Sequence, residues 1–122
     1  MIRFNNDYNH GAHPAILAAM QQTNAKSYGG YGLDAWCRKG AGAIQAYLGG
    51  ADADIHFLIG GTQVNYTVIA AALRPYQSVI SAATAHIHTH ETGAVENTGH
   101  KIQAVAGENG KLTAAKIAAE AE

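Results

Sequence analysis

The stretch IHFLIGGTQVN, residues 55–65, decides the reading of this chain. Its first half, IHFLI, is a short, nearly continuous apolar run set between a polar turn and a Gly-Gly pair. That pattern predicts a parallel strand covered on both faces rather than a half-exposed one. Its second half opens a helix, because Val64, Val68, Ile69 and Leu73 recur at three- and four-residue spacings from Thr62 onward until Pro75 forbids continuation. A strand that passes through glycines straight into a helix is a unit of α/β architecture.

Working outward toward the N-terminus, Pro14 suits the first turn of a helix whose apolar face is Ile16, Leu17 and Met20, ending at Thr23 and Asn24. A glycine-rich loop, SYGGYGLD at 27–34, follows. Asp34 is a good N-cap for a second helix marked by Trp36, Ile44, Tyr47 and Leu48 and stopped by Gly49 and Gly50. Residues 1–13 are rich in Asn, His and Gly without a sustained period and read as an extended arm. Toward the C-terminus, residues 78–82 read as a second strand, residues 101–106 as a third, Asn109-Gly110 as a turn, and a last helix starts at about Thr113. Three strands make a mostly parallel sheet with open faces and edges, and AAKIAAEAE ends without a glycine terminator, so the expectation is the first part of a larger sheet.

Composition agrees. Charged residues are 14% where about a quarter is usual, and hydrophobic residues are 48%, so apolar faces are expected to be covered by further chain or a second subunit. The eight Lys and Arg are scattered, which excludes the basic stripe of a nucleic-acid binder. Apolar runs such as residues 68–73 fall far short of the roughly 20 residues of a membrane span, and no signal segment follows Met1, so a cytoplasmic protein is expected. The lone Cys37 can form no internal disulfide and reads as a small buried apolar residue.

Two segments carry chemistry. GGTQVN opens a helix, where unpaired N–H groups, the positive dipole end and close backbone approach suit a phosphate. A tight turn with Thr62 as N-cap explains the same letters. The other, ATAHIHTHETGAVENTG at 83–99, starts just beyond the carboxyl end of a strand, where α/β ligand sites lie. His86, His88 and His90 alternate. In extended backbone they would share one face and could hold zinc with Glu91, whereas any one of them could equally be a hydrogen-bonded structural histidine.

YG-x-D at 31–34, a strand followed by GTQ-x-N at 61–65, and AH-x4-E-x-GA at 85–94, in this order and at these intervals, resemble the low-specificity threonine aldolases and related β-eliminating lyases. The likeness extends from Asn6-Asp7 to NGKL at 109–112. It implies the first part of the large domain, residues 14–122, of the pyridoxal 5′-phosphate (PLP) type I fold, and a lyase splitting threonine or a related β-hydroxy amino acid into glycine and an aldehyde. By the same resemblance Gly61, Thr62 and Gln63 hold the cofactor phosphate, in agreement with the helix-terminus argument. His86 stacks on the cofactor ring and handles the β-hydroxyl proton, with Glu91 as its proton partner or orienter. Asn6 stands at a substrate-carboxylate position where the family carries serine, which leaves the substrate open. Tyr31 reaches the site of a neighbouring subunit in a homodimer or homotetramer. His88 and His90 fall outside the family pattern. The family's Schiff-base lysine lies downstream of the matched region, and none of Lys26, Lys39, Lys101, Lys111 or Lys116 stands in its context, so the 122 residues alone are expected to be inactive. The alternatives are a PLP lyase of the tyrosine, tryptophan or cysteine type, a small His-rich metal-binding module, and a non-catalytic α/β interaction domain.

Overall fold

A computed structural model describes residues 10–121. The chain divides between His56 and Phe57 into two compact units. The first holds α1 (Pro14–Thr23) and α2 (Ala35–Tyr47). Pro14 occupies the first turn of α1, where its missing N–H costs nothing, and the His13 side chain accepts from Ala15 N–H. Asp34 caps α2 through Oδ1, which accepts from Trp36 N–H at 2.8 Å and Cys37 N–H at 3.0 Å. The Cys37 thiol, expected to be buried, is half-buried against that carboxylate. Their hydrogen bond holds the Asp34 carboxyl below its ordinary value and pushes the thiol up. Gly49 and Gly50, at φ 69° and 80°, end the helix in a left-handed conformation that side chains rarely adopt.

The second unit holds α3 (Gly61–Ala72), β1 (Val79–Ala82), the single turn α4 (His86–Thr89), β2 (Ile102–Val105) and α5 (Ala114–Ala121). Strands β1 and β2 pair in parallel, Val79 opposite Ile102 and Ala82 opposite Val105, and the Ala83 N–H bond to Val105 O extends the ladder. Asn109 and Gly110, at φ 50° and 75°, make the anticipated tight turn, bridged by Glu108 and Lys111. The apolar core of the described chain is Val95 with Ile102.

Two expectations fail. IHFLI is not a strand: residues 55–59 make no ladder bonds, and Phe57, Leu58 and Ile59 are exposed, so the sheet has two strands among the described residues rather than three. Apolar content licenses burial, but a strand exists only with a hydrogen-bonding neighbour, and among the described residues neither β1 nor β2 pairs with this segment. The His-rich segment is helical rather than extended, so its alternate residues do not share one face.

Candidate active site

α3 begins at Gly61, with Gly60 in extended conformation as its cap residue, so Thr62 is not the N-cap. No side chain caps the helix, and the first intrahelical bond is Val64 N–H to Gly60 O. The N–H groups of Gly61, Thr62 and Gln63 therefore have no partner among the described residues, which leaves three donors at the positive end of a helix of 12 residues. Gln63 turns its side-chain oxygen back onto Ile59 N–H at 2.9 Å, in the manner of a capping box displaced by one residue, and this leaves its NH2 outward as a further donor. A Cβ added at Gly60 or Gly61 would meet no atom within 4 Å, so the space over this turn is open.

Within the same unit, β1 delivers the chain to α4. His86 starts that turn with its side chain 66% exposed, while Glu91, just after it, has a wholly buried side chain. His86 Nδ1 lies 2.8 Å from Glu91 Oε1, and Asn65 Nδ2 of α3 donates to the same oxygen at 2.6 Å. A carboxylate oxygen only accepts, so a neutral His86 carries its ring proton on Nδ1 and leaves Nε2 as the acceptor. Glu91 Oε2 is buried and has no hydrogen-bond partner. After Glu91 the chain turns through Thr92 and Gly93 at φ 54° and 73°, and Ala94 N–H closes back on Glu91 O at 3.0 Å. Such a backbone is rare for a β-branched residue, and strain of this kind gathers at functional sites. A cavity of about 400 Å³ opens here, lined by Tyr66, Glu91, Thr92, Gly93, Ala94 and Asn97.

His86 and Glu91, both anticipated, are thus brought together, and Gly61, Thr62 and Gln63 stand at the start of α3, the helix that carries Asn65. Tyr31 belongs to the other unit, where it is fully exposed at φ 61°. Asn6 lies outside the described residues. His88 and His90 are exposed, and His90 accepts or donates to Thr89 Oγ1 at 2.6 Å; among the described residues no three His, Cys, Asp or Glu side chains converge as a metal site, and the arrangement that would have held zinc required the extended backbone that α4 replaces. Sequence reasoning missed Asn65 and the cavity residues Tyr66, Thr92 and Asn97. Asn65 stood in the GTQ-x-N motif, but nothing in the sequence paired it with Glu91.

Residues 7–122 match the sequence model of the β-eliminating lyases. A low specificity L-threonine aldolase of Pseudomonas sp. (strain NCIMB 10558) is 34% identical over 117 residues, 94% of this chain and 34% of that protein. One from Pseudomonas aeruginosa is 35% identical over the same shares. A solved structure of Leishmania major threonine aldolase superposes with a TM-score of 0.87 at 46% identity, covering 93% of this chain and 33% of that one. The chain spans about a third of the length of these relatives.

Proposed function

This chain belongs to the β-eliminating lyase family and has its PLP type I α/β fold, and from that premise we propose that it serves a PLP-dependent lyase cleaving threonine or a related β-hydroxy amino acid into glycine and an aldehyde. The observation that carries the reading is the hydrogen bond between His86 Nδ1 and buried Glu91, which orients an exposed imidazole so that Nε2 of its neutral form is free to take a proton.

The residues present fit the cofactor at both ends. The uncapped donors of Gly61, Thr62 and Gln63, in a turn open enough for close approach, suit a phosphate. The flat exposed ring of His86 suits stacking on a pyridine. When bound, PLP supplies a protonated ring that accepts the electron pair of a breaking Cα–Cβ bond. The chain's own residues do the rest. His86 Nε2 takes the β-hydroxyl proton, and Glu91, already bonded to Nδ1–H, stabilises the imidazolium that results. Asn6 stands in the sequence where the family carries a serine at the substrate-carboxylate position, and Tyr31 serves the site of a neighbouring subunit in a homodimer or homotetramer. Residues 1–122 alone do not turn over, because none of their five lysines stands in the context of the Schiff-base lysine.

The test is an absorbance scan of the full-length protein with PLP, borohydride reduction, and an assay of glycine release from threonine. A reducible yellow species and glycine release are expected. Colour with release of pyruvate from cysteine instead would move the substrate to the β-eliminating alternative, and the absence of colour would sink the reading.

A further inference from the structure

We propose that Asn65 is a positioning residue for His86, acting through Glu91; this rests on the reading of His86 as the proton acceptor. The Glu91 side chain is wholly buried, yet its hydrogen bonds all fall on one oxygen: Oε1 receives Asn65 Nδ2–H at 2.6 Å and His86 Nδ1–H at 2.8 Å, while Oε2 has none. A buried carboxylate so sparsely supported keeps its place only through the donors it has. One of them, His86, is an exposed side chain that must be free to work. The other sits on α3, so Asn65 is the fixed anchor, and the orientation of Glu91, hence the tautomer of His86, follows from it.

The position on α3 gives the arrangement its logic. Asn65 lies four residues beyond Gly61, about one turn and some 6 Å along the axis. The same rigid helix thus offers phosphate donors in its first turn and, one turn on, the amide that sets the carboxylate behind the imidazole. The register between the two ends of a ligand is built into one element. Only an amide meets the requirement at this shape. Aspartate would set a second carboxylate oxygen 2.6 Å from Glu91 Oε1, and leucine would leave that oxygen a single donor.

The experiment compares wild type with Asn65→Leu, Asn65→Asp and Asn65→Ser in the full-length protein, reading the ring nitrogen shifts of His86 by 15N NMR without cofactor, and kcat and KM with it. Wild type is expected to show a protonated Nδ1 and a bare Nε2. Asn65→Leu and Asn65→Asp should show a mixture of tautomers and lose about 10- to 100-fold in kcat, by analogy with the loss of groups that orient metal-bound imidazoles, with KM and PLP affinity little changed. Asn65→Ser keeps a hydroxyl donor and should recover part of both signals. An unchanged His86 tautomer in folded Asn65→Leu or Asn65→Asp overturns the proposal; if neither folds, Asn65→Ala, which removes the donor without adding bulk or charge, is read in the same way, and an unchanged tautomer there overturns it equally. The NMR reading stands apart from the reaction: wild type that releases no glycine but loses its tautomer on mutation defeats the lyase reading and leaves the role of Asn65 intact.

Discussion

Glu91 and His100 are both buried polar residues, and their surroundings separate function from structure. His100 Nδ1 lies 3.1 Å from Gln77 O and joins the segment before β1 to the one before β2. Glu91 instead keeps one oxygen without a partner beside a cavity, an arrangement that favours chemistry over stability. Glu91→Gln can keep both bonds through its amide oxygen while removing a charge from the interior. It is therefore expected to leave the melting temperature unchanged or raised and to lower kcat about tenfold or more, because the imidazolium loses its counter-charge. Calorimetry beside steady-state kinetics checks this, and a melting temperature that falls together with kcat would make Glu91 a structural residue. His86 and Glu91 were named through the family resemblance that AH-x4-E helps carry, and the structure places them in hydrogen-bond contact. Asn65 was legible as a residue of GTQ-x-N but not as a partner of Glu91, because that bond spans 26 residues and depends on how α3 lies against the turn after β1.

Elements with local causes were readable, and those with distant causes were not. Helix α1 begins where Pro14 takes the first helical position and α2 where Asp34 caps it, and the 109–110 turn follows from Asn-Gly chemistry. The failure at 55–59 came from a pairing that composition cannot supply, and α4 was missed because alternation of histidines imitates a strand. At the head of α3 the glycines raise a sharper question. Gly60 has φ −160°, which any residue adopts, and nothing in the fold crowds a Cβ at Gly60 or Gly61. The backbone does not require glycine there, whereas a phosphate seated on the turn does. Gly61→Ala is accordingly expected to raise stability slightly, by about 0.4–1 kcal/mol, while weakening PLP binding at least severalfold. Thermal melts without cofactor and a PLP titration decide it, and a variant that binds PLP as wild type does would remove the phosphate from this turn.

Across the whole chain, the described residues bury two apolar side chains, Val95 and Ile102, whereas Ile16, Leu17, Met20, Trp36, Phe57 and Val68 are among the large hydrophobics left exposed. Low charge made this legible in advance, since a sequence with 14% charged residues lacks the polar surface to clothe such faces. Cooperative unfolding scales with the surface that unfolding exposes, so residues 1–122 by themselves are expected to unfold over a broad range of urea, with a slope below the roughly 1 kcal/mol per molar at the low end for small domains. They should also bind a hydrophobic dye before urea is added. A sharp transition whose midpoint rises with protein concentration would contradict this and identify a second copy as the cover, because only association makes stability depend on concentration. A sharp transition independent of concentration would mean that each copy buries these faces within itself, and the exposed residues named above would then have to pack differently from their present arrangement.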